Sequence, residues 1–157
     1  MGKTKPDKKQ DQFPDQWKTH DTPERQERER QLIQVYCEKT EATGYWQGGI
    51  GSRYDAQIFG NAGTLRELIE VKERKLVRTQ IEYLNIDMKK IDWLRDAVKI
   101  RRVPVYLVVS WQDGEMTRLD LAKAQPADWS VHEHNSKTRK EFADLQYLIP
   151  VQEFERI

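Results

Sequence analysis

An isolated acid and a Glu-x-Lys triplet are the residues of this chain whose types and spacing could do chemistry. Asp55 lies in one strand-like segment, and Glu70 and Lys72 stand two residues apart in the next. Two carboxylates, with a strand carbonyl such as that of Val71, offer the hard oxygen ligands that suit Mg²⁺ or Mn²⁺. A metal held there would polarise a phosphoryl oxygen and lower the pKa of a bound water, while Lys72 would orient the nucleophile or stabilise charge on phosphorus. These are the groups that a metal-dependent phosphodiesterase needs.

The Glu-x-Lys pattern is weak evidence alone, and its context selects one copy of it. An acid followed two residues later by lysine occurs at Asp7/Lys9, Glu70/Lys72, Glu73/Lys75 and Asp87/Lys89. Because 34% of the residues are charged, chance matches are expected. Only Glu70 and Lys72 flank a β-branched residue in an apolar run that follows a second strand-like segment with its own acid. The chemistry is therefore assigned to that pair.

The segment Gly60–Gly63 is typical of a two-residue hairpin turn, because Gly and Asn tolerate positive φ. In the register that this turn predicts, Asp55 lies opposite Leu68 and is a diagonal neighbour of Glu70, about 7–8 Å away at the backbone. Alternation of side chains then gives one mostly apolar face, with Glu67 as its exception, and gathers the ionisable groups on the other face. The alternative is an ordinary cross-strand ion pair, worth about 0–1 kcal/mol at a surface.

The run Tyr54-Asp55 … Glu70-Val71-Lys72 resembles the core signature of the PD-(D/E)XK nuclease superfamily. That superfamily includes restriction enzymes, archaeal-type Holliday junction resolvases and many phage recombination or repair nucleases. Tyr54 stands where the name of the pattern expects proline. The resemblance implies that Asp55 and Glu70 are metal ligands and that Lys72 is the catalytic lysine, and it leaves the substrate open.

The order of predicted elements is also similar to that superfamily, with a helix before the first strand and another after the Glu-x-Lys strand. Thr22 and Pro23 are typical of an N-cap and a first helical position, and their helix is expected to end near Ala42 with Gly44 as its stop. Asp87 is expected to cap the second helix, whose apolar stripe is Met88, Ile91, Leu94, Ala97 and Val98.

The remaining pattern predicts an α/β domain with a mixed β-sheet flanked by helices, and the resemblance implies a restriction endonuclease-like core. Pro104–Val109 is apolar on both parities, as in a central buried strand, and Asp113-Gly114 predicts a hairpin that returns through Met116–Leu121. Weaker patterns predict a short extended stretch at 81–86, little regular structure at 122–147, and a closing strand with a helical turn at 148–157.

A helix acid is a further candidate for the site. Glu29 shares the inward face of the first helix with Leu32, Ile33 and Tyr36, since it lies three, four and seven residues before them. In the superfamily the first helix often contributes an acid to the site, and Glu29 is the residue predicted to do so. The alternatives are Glu24, Glu27 or plain surface charge on the helix.

Basic residues near the site are candidates for contact with a phosphate backbone. Arg74 and Lys75 follow the Glu-x-Lys strand directly, and Lys90 lies in the helix that the superfamily can use to reach substrate phosphate. The alternative is a solvated face on which these cations alternate with acids. His132 and His134 also invite a zinc or HNH-nuclease interpretation, but two histidines without further ligands make neither site.

Length and composition bound the rest. At 157 residues the chain is expected to form one nuclease-like domain over residues 22–157, after a flexible polar arm at residues 1–21. The single Cys37 excludes a disulfide framework, and the glycines of 44–51 fit no nucleotide-binding loop, so no nucleotide cofactor is expected. No membrane-spanning run or signal sequence is apparent, which predicts a soluble, intracellular, cytoplasmic protein without a membrane partner.

The function expected from the sequence is Mg²⁺- or Mn²⁺-dependent hydrolysis of DNA phosphodiester bonds. One site cuts one strand at a time, so a double-strand or junction cut would require a homodimer. Little chain remains for base reading, which favours structure-directed or weakly sequence-specific cutting. The alternatives are a catalytically inactive DNA-binding or assembly domain with the same fold, and a hydrolase directed to RNA.

Overall fold

The computed structural model describes residues 22–48, 52–134 and 144–157, so the predicted arm at residues 1–21 lies outside the described residues. Within these ranges the chain forms helices α1 (Pro23–Thr40) and α2 (Met88–Arg101) and nine strands. In chain order the strands are β1 (Gly44–Gln47), β2 (Ala56–Phe59), β3 (Leu65–Glu73), β4 (Tyr83–Asp87), β5 (Val105–Ser110), β6 (Met116–Asp120), β7 (Ser130–His134), β8 (Asp144–Pro150) and β9 (Glu155–Arg156).

Six strands form a mixed sheet in the order β1-β2-β3-β5-β6-β9, with β3 and β5 parallel. Helix α2 lies in the connection between those two strands, as the predicted strand–helix–strand unit requires. Side chains of α1 pack on one face of the sheet with Ile58 and Ile69, and side chains of α2 pack on the other with Leu68 and Leu107. The predicted mixed sheet flanked by helices is therefore confirmed, and both of its faces are covered.

A second sheet, of three antiparallel strands in the order β4-β8-β7, was not predicted. Its buried residues Leu84, Ile86 and Ile149 join the core cluster of α2. The extended stretch predicted at 81–86 corresponds to β4, but 122–147 contains β7 and part of β8, where little structure was expected. Val131 of β7 and Leu145 of β8 are exposed, so these apolar residues do not belong to a buried face.

Both predicted N-caps are present. Thr22 Oγ1 accepts a hydrogen bond from the N–H of Arg25 at 3.2 Å, and Asp87 Oδ1 accepts one from Lys89 at 3.0 Å. The predicted C-terminal stop of α1 was wrong. Glu41 takes the left-handed conformation, with φ of 56°, and its N–H bonds to the carbonyls of the last turn. Gly44 instead begins β1, because the helix has already ended at Thr40, four residues earlier.

The predicted two-residue turn between β2 and β3 was also wrong. The loop is a turn of 3₁₀-helix at Asn61–Gly63, closed by the N–H of Gly60 on the carbonyl of Thr64 at 2.9 Å. Positive φ occurs at Ala62 and Gly63 and not at Asn61. A register irregularity near Phe59 accommodates the longer loop.

The resulting register differs by two residues from the predicted one. Gln57 pairs with Leu68, and continuing this register places Asp55 opposite Glu70 rather than diagonal to it. Because side chains alternate with a period of two, a shift of two residues leaves Asp55 and the side chains from Glu67 to Lys72 on their predicted faces. None of the helices in the described part of the chain is long and apolar enough to cross a membrane.

Candidate active site

The N-terminal end of β2 and the middle of β3 bring the predicted residues together. The N–H of Asp55 donates to the carbonyl of Ile69 at 2.9 Å, and its Oδ2 accepts from the N–H of Val71 at 2.7 Å. This second bond holds the Asp55 carboxylate against the backbone between Glu70 and Lys72. β3 is an interior strand of the sheet, between β2 and β5, so the backbone that binds Asp55 is held from both sides.

Two ammonium groups contact the carboxylate of Glu70, which is 3% exposed. Lys72 Nζ lies 3.2 Å from Oε2, and Lys90 Nζ, from the first turn of α2, lies 3.1 Å from Oε1. Lys90 also donates to the carbonyl of Arg53 at 3.4 Å. Among the residues that the structure describes, Glu70 Oε1 has no hydrogen-bond donor, because Lys90 contacts it without hydrogen-bond geometry.

The electrostatics of this cluster are dominated by crowded carboxylates. Burial raises the pKa of Asp55 well above its ordinary value, and the charges of Glu70 and Glu29 raise it further. Lys72 and the N–H of Val71 act in the opposite direction on Asp55. The Glu70 carboxylate raises the pKa of Lys72, which overcomes the opposing effect of burial, so Lys72 carries its charge. A cation added beside Asp55 would relieve the repulsion between the carboxylates.

Glu29 of α1 reaches the same cavity. Its Oε2 accepts a hydrogen bond from Gln47 Nε2 at 3.0 Å, and Gln47 also donates to the carbonyl of Gln26 at 3.1 Å. The alternatives lie elsewhere, since Glu24 is exposed and Glu27 forms an ion pair with Arg30 on the helix surface. Gln47 is a residue that sequence reasoning missed, because its role depends on the pairing of β1 with β2 and on the approach of α1.

An open cavity of about 720 Å³ surrounds these groups. Asp55, Glu70 and Glu29 line it, and so do the basic side chains of Arg25, Lys72, Arg74, Lys75 and Lys90. All three cations predicted to contact phosphate therefore face the cavity. Lys75 is exposed, whereas Arg74 is half-buried and burial lowers its pKa. The second sheet contributes part of the wall through Asn85 and Gln146.

The donor set fits a hard divalent cation that retains water. Within 22–48, 52–134 and 144–157 no three acidic, histidine or cysteine side chains form a metal-holding group by themselves. Mg²⁺ and Mn²⁺ are commonly held by one or two carboxylates and several waters, so Asp55 and Glu70 suffice. The N–H and carbonyl of a strand residue point to the same side, so the Val71 carbonyl lies on the side of β3 from which its N–H binds Asp55. The donor-free Oε1 of Glu70 is a further acceptor for such a cation.

His132 is not among the residues that line this cavity. His132 is exposed in β7, at the edge of the second sheet, and the side chain of His134 lies outside what the structure describes. Both residues belong to β7, at Ser130–His134.

Comparison with known proteins relates the fold and sequence to nucleases. A family model described as "Phage putative PDDEXK endonuclease" matches residues 25–157. The structure is similar to that of Hjc, a Holliday junction resolvase from the archaeal hyperthermophile Archaeoglobus fulgidus, with a TM-score of 0.56 and 13% sequence identity. The match covers 85% of this chain and 92% of the resolvase, and it confirms the predicted restriction endonuclease-like core. No curated protein sequence matches the chain.

Proposed function

The chain belongs to the phage PDDEXK endonuclease family, and from that premise we propose that it hydrolyses DNA phosphodiester bonds with Mg²⁺ or Mn²⁺. The observation that carries the proposal is the hydrogen bond from the N–H of Val71 to the Asp55 carboxylate at 2.7 Å. It fixes Asp55 opposite Glu70, whose carboxylate contacts Lys72. Two carboxylates and one ammonium group thus meet where a phosphate can enter from the cavity.

Each residue of the cluster has a role in this proposal. Asp55, Glu70 and the carbonyl of Val71 would hold the divalent cation, which when bound would supply Lewis acidity and a water of lowered pKa. Lys72 orients the attacking water and stabilises charge on the phosphate oxygens. Glu29 acts through water, since its carboxylate is held at the cavity wall by Gln47.

The cations around the cavity support DNA as the partner. Arg74 and Lys75 follow the last residue of β3, and Lys90 lies in α2. Basic side chains from both places line the cavity beside the carboxylates. A phosphate backbone is attracted to such a surface without regard to base sequence. We therefore favour structure-directed or weakly sequence-specific cutting, and a homodimer wherever two strands are cut in one event.

A plasmid-nicking assay with and without Mg²⁺ or Mn²⁺ tests this function. Asp55→Ala and Lys72→Ala should each reduce the nicking rate by about 100-fold or more, the usual effect of removing a group that acts on the transition state. Asp96→Ala and Lys99→Ala, which replace exposed residues of α2, are the matched controls and should cut as the wild type does.

Two outcomes would contradict the proposed enzymatic function. If both site variants cut DNA within a few-fold of the wild-type rate, Asp55 and Lys72 would not have the catalytic roles assigned to them. DNA binding without metal-dependent cleavage would favour the inactive DNA-binding domain instead. Labelled RNA offered beside DNA in the same assay separates a ribonuclease from the proposed deoxyribonuclease.

A further inference from the structure

We propose that Lys90 occupies the position of a divalent cation on Glu70 in the metal-free protein, and that it moves to substrate phosphate when the cation binds. This inference rests on the proposed function, since it takes Glu70 as a metal ligand. It gives Lys90 a positioning role that couples the metal to DNA, in addition to a contact with the backbone.

The two oxygens of the Glu70 carboxylate are held differently. Oε2 contacts Lys72, which lies two residues along the same strand, at 3.2 Å. Oε1 contacts Lys90 at 3.1 Å, but no residue of the described chain donates a hydrogen bond to it. A buried carboxylate oxygen is normally satisfied by a donor. Lys90 therefore neutralises Oε1 while leaving its lone pairs open to a cation.

A divalent cation and the Lys90 ammonium compete for that oxygen. The cation would bind a carboxylate oxygen at about 2.0–2.1 Å, and a second positive charge so close to the same atom would repel it. Lys72 is anchored to β3, where its charge is also attracted by Asp55. Lys90 comes from a different element, and its hydrogen bond to the carbonyl of Arg53 is long, at 3.4 Å. Lys90 is the cation that can move.

The direction of that movement follows from the cavity. The Lys90 side chain lines the cavity and is 18% exposed, so rotation of its flexible stem carries the ammonium group outward. There it would meet the phosphate that approaches the metal. Metal binding would then strengthen DNA binding, and by reciprocity a phosphate that attracts Lys90 would open Glu70 to the metal.

The first experiment measures metal affinity in the absence of DNA. Isothermal titration of Mn²⁺ into Lys90→Gln should show affinity about tenfold tighter than the wild type, a coupling of ordinary size. Lys89→Gln and Lys99→Gln, which remove exposed cations of α2 that do not line the cavity, are the matched controls. They should change Mn²⁺ affinity by no more than about twofold, because distant exposed charges are screened.

The second experiment measures the coupling to DNA on a phosphorothioate duplex, which resists hydrolysis. In EDTA the wild type and Lys90→Gln should bind this duplex alike. With Mn²⁺ the wild type should gain about tenfold in affinity for the duplex. The variant should gain less than about twofold, because it has no Lys90 ammonium group for Mn²⁺ to displace from Glu70. Lys90→Met, which keeps the apolar stem, must repeat both results, so that a local folding defect is not mistaken for the effect.

The outcomes separate this inference from the function on which it rests. Unchanged or weaker Mn²⁺ binding by Lys90→Gln, or equal gains in DNA affinity for both proteins, would overturn the role of Lys90 while leaving metal-dependent nicking by the wild type intact. A wild type that neither binds Mn²⁺ nor nicks DNA would overturn both. Disagreement between the Gln and Met variants would also count against the inference.

Discussion

The carboxylate of Asp55 is held in place by a hydrogen bond from the N–H of Val71 at 2.7 Å. That bond takes the carboxylate to a position beside Glu70, where burial and like charge both disfavour its ionised form. A carboxylate in such a position weakens the folded protein in the absence of a cation. In the proposed function, local stability is therefore given up for a site that a divalent ion would complete.

Replacing Asp55 with Asn should stabilise the metal-free protein. The Asn carbonyl can still accept from Val71, but it brings no charge next to Glu70. The free energy of unfolding should rise by about 1 kcal/mol, a common gain when a functional charge is removed. For a chain of this size that gain raises Tm by about 2–4 °C.

Thermal unfolding in EDTA measures the effect of Asp55→Asn. The matched control is Asp96→Asn, an exposed site on α2, whose Tm should stay within about 1 °C of the wild type. A lower Tm for Asp55→Asn would show that the Asp55 carboxylate stabilises the metal-free protein and would contradict a destabilising repulsion between Asp55 and Glu70.

At the scale of elements, the β2–β3 hairpin explains why the face of the sheet that carries Asp55 and Glu70 was predicted correctly although the turn was not. The loop is longer than predicted, and the register differs by two residues from the one inferred. An error of one residue would have sent Asp55 to the face that α1 covers, away from Glu70. Strand parity was the part of the inference that mattered, and parity is insensitive to a shift of two.

Helix α1 is fixed to the opposite face of the sheet by a buried polar network. Tyr36 donates its hydroxyl hydrogen to Glu67 at 2.7 Å and accepts from Arg118 at 2.8 Å. Burial raises the pKa of Tyr36 and the Glu67 carboxylate raises it further, so the hydroxyl stays protonated and can donate. Glu67 also pairs with Arg66 at 2.9 Å. This network accounts for the one acid on the otherwise apolar face.

Tyr36→Phe should lower the free energy of unfolding by about 1–3 kcal/mol, because Glu67 and Arg118 each lose a buried hydrogen-bond partner. Urea unfolding measures the change, with an unaltered m value as evidence that the unfolded state is the same. Tyr45→Phe is the matched control, since its hydroxyl accepts from Gln34 at an exposed site and its loss should cost less than about 0.5 kcal/mol. Equal effects for the two variants would contradict a stabilising role for the network.

At the scale of the whole molecule, opposite charges are gathered in the cavity of a nearly neutral chain. The net charge is +1, and five cations line the cavity beside five acids, three of which are the carboxylates of the candidate site. A neutral total keeps the rest of the surface from binding nucleic acid indiscriminately. Any DNA affinity should therefore come from the cavity and depend on salt.

Lys75→Ala should weaken DNA binding to a similar degree on all sequences, and it should reduce the slope of log affinity against log salt by about 1, the effect of losing one phosphate contact. Fluorescence anisotropy of a labelled duplex over a range of salt concentrations measures this slope. Lys123→Ala, an exposed lysine of another cavity, is the control and should leave the slope unchanged. A slope that only Lys123→Ala alters would move the DNA path to the other cavity.

The sequence by itself determined the residue types of the candidate site, the face of the sheet on which they lie, and the helices that cover it. Those features are local, because alternation, caps and apolar stripes are set by neighbours within a few residues. Glu67 was visible in the same way, as the polar exception on an apolar face, although its partners were not.

Only the tertiary structure decided which distant residues meet. The contact of Lys90 with Glu70, the hydrogen bond from Gln47 to Glu29 and the second sheet all join segments that are far apart in the chain. Such contacts depend on how whole elements pack, and no local pattern records the angle or depth at which α2 approaches β3. That approach is what places a second ammonium group on the carboxylate at the centre of the site.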